Sequence, residues 1–251
     1  MTMIVSAHLS DCILIASDKR SMTCDLETGD MHLFDDNEQK IKLWSVGAIA
    51  GTGETIFLNR VINYFDHFNV KNKKLKQIDI IHEEIERRLS EGIPKEMLIN
   101  NIFIFSMFNG EKTSLYSIPI EPFFQEFDQG NGIKIIHPRM HEIKPWTVDV
   151  TCFNLPPDMS NLQNFQRSLK SFESFENELS FVQYYIEQLK QVFTLQASID
   201  PSITTSFDLY LQMCKTGHSL TLHIDNPILT PPIAKKLNYW NKLSNKIQND
   251  K

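Results

Sequence analysis

Along this chain the spacing of apolar positions switches repeatedly between the period of a strand and that of a helix, and the switches mark its elements. Residues 3–7 and 12–17 are apolar, β-branched-rich runs separated by Leu9-Ser10-Asp11, which predicts a hairpin of two buried strands. Asp18-Lys19-Arg20 ends the second run with three charges. From Ser21 to Gln39 the chain is polar, with Met31–Phe34 as a short strand between the turns Thr28-Gly29-Asp30 and Asp35-Asp36-Asn37. Lys40–Trp44 alternates like a strand with one buried face, and Val46–Ala50 reads as its partner. Gly51-Thr52-Gly53 then opens a helix at Glu54, with Ile56, Phe57, Val61, Ile62, Phe65 and Phe68 at helical spacing and Thr52 as the expected N-cap.

Lys71–Lys76 reads as a solvated basic loop, and Ile78–Ser90 as an amphipathic helix stopped by Gly92 and Pro94. Asn101–Phe108 and Thr113–Ile120 flank Asn109-Gly110, the strongest hairpin signal in the chain. Pro122–Pro145 is poor in pattern, with a strand at Ile133–Ile136, and Val148–Phe153 is a further strand. Helices follow over Leu162–Phe175 and Glu178–Ala197, then a hairpin of Phe207–Met213 and Ser219–Ile224. Pro227, Pro231 and Pro232 precede a last helix at Ile233–Ile247. This order predicts an α+β fold, two layers of antiparallel sheet with helices outside, rather than alternating βαβ units. The expected organisation is one domain over residues 1–225 and a C-terminal extension, 226–251, that carries a helix.

Composition narrows the function classes. With 41% hydrophobic and 22% charged residues in 251, the chain reads as an ordinary soluble protein. A net charge of −6 argues against nucleic acid and anionic membrane as partners. No basic segment followed by an apolar run suggests a signal peptide, and no stretch approaches the roughly 20 apolar residues of a membrane span. Cys12, Cys24, Cys152 and Cys214 form no CxxC pair, so neither zinc nor a disulfide framework is signalled, and a cytoplasmic location is expected. His137 and His141 straddle Pro138 without an acidic or cysteine partner, while His218 and His223 fall on opposite faces of a predicted strand. No metal or cofactor is therefore expected.

The opening carries the candidate chemistry. Thr2 follows Met1 directly, and a methionine aminopeptidase would expose it as a new N-terminus. A free α-amine titrates near neutrality, roughly at 7.7–8.0 when unperturbed. It lies within one residue of the threonine hydroxyl, a pairing that activates a nucleophile.

Five pieces in order extend this opening: Thr2 with the strand behind it, Asp18-x-Arg20, Lys40-Ile41, Ala50-Gly51-Thr52-Gly53 before a helix, and Asp200 followed by Thr204-Thr205 and a strand. With the Asn101–Ile120 hairpin they resemble the proteasome β-subunit and HslV-like family of N-terminal-nucleophile hydrolases, over about residues 2–224. The resemblance implies a four-layer αββα sandwich of two antiparallel sheets and a threonine peptidase. By the same resemblance Thr2 is the nucleophile, Lys40 the ammonium beside it, Asp18 the partner of Lys40, and the N–H of Gly51 the oxyanion donor. Arg20 would be an ion-pair partner at the substrate site, Ser21 and Ile49 would line the pocket, and Asp200 would support the site. A peptide or protein substrate, a homo-oligomeric ring and an ATPase unfoldase are the implied partners. Lys42 is an alternative to Lys40, since alternation turns both to one face. The chain departs from the pattern where Gly130-Asn131-Gly132 replaces Gly-Ser-Gly and where Ile203-Thr204-Thr205 replaces Ser-Gly-Gly. The loop between Asp18 and Lys40 is also longer than usual. The competing readings are a catalytically degenerate structural or binding subunit and an amidohydrolase acting on a small amide.

Overall fold

The computed structural model of the chain describes residues 2–25, 28, 30–66, 77–124, 138–152 and 159–227. Strands β1 (Met3–His8) and β2 (Cys12–Asp18) form the expected hairpin, closed through Ser10 at φ 75°. Every residue of both strands is buried. Met3, Val5, Ala7, Leu14 and Ala16 join one core, whereas Ile4, Ile13 and Ile15 join another. A mostly apolar run is what a strand covered on both faces requires.

The polar stretch after Asp18 holds more structure than its composition suggests. Strands β3 (Ser21–Cys24) and β4 (Met31–Asp35) pair as a separate two-stranded sheet. Strands β5 (Lys42–Trp44) and β6 (Gly47–Thr52) follow, and β6 is buried throughout. Helix α1 (Thr55–Asp66) begins one residue later than its spacing predicts. Thr52 does not cap it, because Thr52 still belongs to β6. Instead the Glu54 carboxylate accepts the N–H groups of Ile56 (3.1 Å) and Phe57 (2.7 Å). A carboxylate there is favoured by the partial positive charge of the helix start. Ile56, expected on the apolar stripe, is half exposed, and Leu58 takes its place beside Phe57, Val61, Ile62 and Phe65.

Helix α2 (Gln77–Ser90) packs on α1, and a short helix α3 (Lys95–Ile99) starts at Pro94, which sequence reading treats only as a stop. Strands β7 (Ile102–Phe108) and β8 (Thr113–Pro119) flank Asn109-Gly110 as predicted, with Gly110 at φ 99°. An unpredicted edge strand, β9 (His141–Ile143), follows, too short at three residues to leave a period in the sequence. Then come β10 (Thr147–Cys152), α4 (Ser160–Arg167), α5 (Glu178–Ile199), β11 (Phe207–Met213) and β12 (Ser219–Ile224). The basic loop 71–76, the strand expected at 133–136 and the tail helix expected at 233–247 lie outside the described residues.

The helix expected over 162–175 stops at Arg167, and the reason is tertiary. The Tyr184 hydroxyl donates to the Ser168 carbonyl at 2.6 Å, and the Tyr185 hydroxyl donates to that of Lys170 at 2.6 Å. The Tyr185 hydroxyl also accepts the Lys170 N–H at 2.8 Å, the donor that a continued i to i−4 ladder would give to the Gln166 carbonyl. Phe172 and Phe175 then pack on Phe181, at 5.2 and 5.4 Å between ring centroids.

The strands make two five-stranded antiparallel sheets, in the orders β10-β1-β2-β11-β12 and β5-β6-β7-β8-β9. Tyr185, Leu189 and Phe193 of α5 cover the first with Phe207 and Leu209. Phe57, Phe65, Ile81 and Ile85 of α1 and α2 cover the second with Phe103 and Phe105. A third cluster takes Ile4, Ile13 and Tyr210 from the first sheet and Ala48, Ala50 and Ile104 from the second. The fold is thus mixed α and β with antiparallel sheets. Among the described residues no helix is long and apolar enough to cross a membrane.

Candidate active site

Thr2 stands at the head of β1, almost buried at 7% exposure, and the next N–H along the chain reaches the centre of a polar cluster. That centre is Asp18, the last residue of β2, which is wholly buried. Its Oδ1 accepts the N–H of Met3 at 2.8 Å and the Lys40 ammonium at 2.8 Å, and its Oδ2 accepts the N–H of Arg20 at 2.9 Å. The Lys40 ammonium also donates to the Arg20 carbonyl at 2.6 Å. Three donors on one carboxylate meet the requirement that a buried charge be paired and hydrogen-bonded.

Burial lowers the Lys40 pKa from its ordinary value, and the Asp18 carboxylate opposes that shift by attraction and by its hydrogen bond. Of the two lysines that sequence alternation left open, Lys40 is therefore the one at Asp18. Lys42 lines the neighbouring cleft with no ion pair among the described residues.

Arg20 meets other groups. Its Nε and Nη2 grip Asp36 as a fork, at 2.6 and 2.8 Å, and its Nη1 donates to the Pro201 carbonyl at 2.5 Å. The turn after α5 closes this side: Asp200, 1% exposed, accepts the Ser202 N–H (2.9 Å) and hydroxyl (2.6 Å) on Oδ1. Lys19 donates its N–H to the Thr204 hydroxyl at 3.0 Å. The segments 18–20, 36–40 and 200–204 are thus tied together.

A cleft of about 60 Å³ opens beside the cluster, with Thr2, Lys40, Ser21 and Gly51 on its wall. That volume holds a few water molecules or a small side chain. Gly51 lies in β6 opposite Phe103, and a Cβ there would come within 2.6 Å of Leu58 Cδ2 and 3.3 Å of the Ile102 carbonyl. Close approach, not an unusual φ, thus favours glycine at 51. The sharp turn belongs to Gly53, at φ 115°, where a Cβ would overlap the Asn101 side-chain amide at 1.4 Å.

Of the residues singled out in the sequence, Thr2, Asp18, Lys40, Gly51 and Ser21 come together. Arg20 meets the cluster through its backbone and Asp200 lies in the adjacent turn that Arg20 grips at Pro201; neither lines the cleft. Ile49 lies elsewhere, wholly buried with Trp44 and Phe57 between the second sheet and its helices. The far wall is one sequence reading missed: Thr55, Leu58, Asn59 and Ile62 of α1. Their i, i+3, i+4, i+7 spacing was the available signal, hidden because the same helix shows a stronger stripe toward its core. The segment 130–132 lies outside the described residues. His137 is also outside them, and His218 lies just before β12, which carries His223.

No family model matches the chain, and no curated protein sequence matches it. Solved structures do. An Anbu (Gly-1) mutant from Hyphomicrobium sp. strain MC1 aligns at 15% identity with a TM-score of 0.56, covering 100% of this chain and 96% of that one. Anbu from the same strain aligns at 14% and 0.55, over 99% and 94%. Anbu, described as an ancestral beta-subunit, from Yersinia bercovieri aligns at 11% and 0.57, over 99% and 93%. These likenesses show a shared fold. They correct the family resemblance read from the sequence: the HslV-like assignment gives way to a fold similar to that of Anbu.

Proposed function

We propose that this chain hydrolyses peptide amide bonds, with Thr2 as the nucleophile once Met1 has been removed. The observation that carries the reading is the buried Lys40–Asp18 pair at 2.8 Å, next in space to the head of β1 and open to a cleft that Thr2 and Gly51 also line. The three stacked clusters support a four-layer αββα arrangement around it.

In this mechanism the Thr2 hydroxyl oxygen attacks the amide carbon, and its proton passes through a water to the α-amine. Lys40, held charged by Asp18, lowers the cost of the alkoxide. The N–H of Gly51 stabilises the oxyanion, a contribution typically worth about 10²–10³ in rate. Collapse breaks the C–N bond, and the leaving amine takes the proton from the α-ammonium. Water then attacks the Thr2 ester, releasing the acid and restoring the hydroxyl. Ser21 and the α1 residues face the substrate. The fold shared with an ancestral beta-subunit supports work as one subunit of an assembly of like copies.

The test is the intact mass of the purified protein, followed by incubation with a peptide β-lactone. Loss of Met1 and one adduct, absent in Thr2→Ala, is the expected result. A protein that keeps Met1 has its amine tied in a peptide bond, which sinks the mechanism and leaves a non-catalytic subunit.

A further inference from the structure

The tie between Arg20 and Asp36 has a consequence for Lys40. Arg20 touches the site through its backbone on both sides: its N–H donates to Asp18 Oδ2 and its carbonyl accepts the Lys40 ammonium. Its guanidinium, 15% exposed, is fixed at three points, two of them on the Asp36 carboxylate and one on the Pro201 carbonyl. A planar fork on a carboxylate fixes orientation as well as distance. Asp36 follows β4, and four residues later the chain reaches Lys40. Between them the Glu38 N–H donates to the Lys19 carbonyl at 3.0 Å. The residues before and including Lys40 are therefore fastened to residues 18–20 at positions 36, 38 and 40. The fastening at 36 is the only one of the three that needs a particular side chain without itself touching Asp18.

We infer that Asp36 is a positioning residue for the reaction proposed above: through Arg20 it sets where the carbonyl that accepts from Lys40 lies. The inference rests on that reading for its effect on rate, but not for its effect on Lys40. Without Asp36 the guanidinium loses both bonds of its fork, the Arg20 backbone drifts, and the Lys40 ammonium loses the Arg20 carbonyl as an acceptor. A less well solvated ammonium gives up its proton more easily, so the Lys40 pKa falls further below the ordinary lysine value.

The experiment combines titration of the lysine side-chain NMR signals, with Lys40 assigned by Lys40→Arg, and steady-state kinetics on a fluorogenic peptide. Asp36→Ala is compared with Asp36→Asn, which keeps the size, and Asp36→Glu, which keeps the charge. Removing the carboxylate is expected to shift the Lys40 titration to lower pH. It also lowers kcat about tenfold with KM unchanged, the scale of a small misplacement, and moves the alkaline limb of the rate profile the same way. Asp36→Glu restores most of both. Should Asp36→Ala fail to fold, Asp36→Asn carries the same readouts. An unmoved Lys40 titration in a folded Asp36→Asn or Asp36→Ala protein overturns the inference. A shifted titration in a protein with no Thr2-dependent hydrolysis keeps the positioning role and refutes the proposed reaction instead.

Discussion

Asp18 and Lys19 are neighbours at the end of β2, yet each enters a lysine–aspartate pair of a different kind. Asp18 is wholly buried and meets Lys40 at 2.8 Å, with backbone N–H groups on both of its oxygens. Lys19 and Asp208 are almost as well buried, at 10% and 7% side-chain exposure, but stand 3.7 Å apart. Between them lies Nδ1 of His223, 3.0 Å from the Lys19 ammonium and 3.1 Å from Asp208 Oδ1. One ring nitrogen accepts from lysine or donates to aspartate, never both at once. Asp208 Oδ2 is left without a hydrogen-bond partner among the described residues. His223 is 40% exposed, so water reaches this group. Burial alone therefore does not make a strong pair; the number of satisfied donors and acceptors does.

The sharpest way to break this contrast is Lys40→Met. It leaves the Asp18 carboxylate buried without a counter-ion, and urea unfolding is expected to report a loss of about 3–5 kcal/mol. Peptide hydrolysis should fall by roughly 10²–10³, the range for loss of a group that stabilises charge developing in the reaction. A variant with normal stability would refute the contrast, because Asp18 would then be adequately held by backbone N–H groups alone.

A double-mutant cycle on each pair measures the contrast directly. Coupling between Asp18 and Lys40 should reach roughly 2–3 kcal/mol, and that between Lys19 and Asp208 less than about 1 kcal/mol. Equal couplings would mean that His223 does not weaken the second pair.

The gentlest probe is pH. Burial depresses the Lys40 pKa in the folded chain, so between that value and the ordinary 10.5 the unfolded state binds more protons. Stability from this group therefore rises with pH across the window. Hydrolysis, which uses the ammonium, falls across the same window. Slopes of opposite sign, both absent in Lys40→Met, are the expected outcome; a rate that rises with pH there would show that the neutral amine is the working form.

Much of this architecture was legible. The fully buried β1 and β2 were visible as apolar runs, α5 as a long stripe, and the β7–β8 hairpin as Asn109-Gly110. The cluster was legible in part, since Thr2, Asp18 and Lys40 stood out as residue types in order. Asp36 did not, because Asp35-Asp36-Asn37 reads equally well as solvated turn material. Ile49 misled for the opposite reason: it looks like any pocket residue, but its strand turns it to the α1 core.

By itself the sequence determined the longer elements and their order, because helical and strand periods, turn residues and breakers act over a few positions. Tertiary structure alone decided which lysine meets Asp18, what holds Arg20, why α4 ends at Arg167 and which face of α1 walls the cleft. Those outcomes depend on segments as far apart as Arg20 and Pro201, or Ser168 and Tyr184, arriving at one place. A local pattern says that a side chain can pair. Only the packed chain supplies the partner, the burial and the loss of water that give the pair its strength.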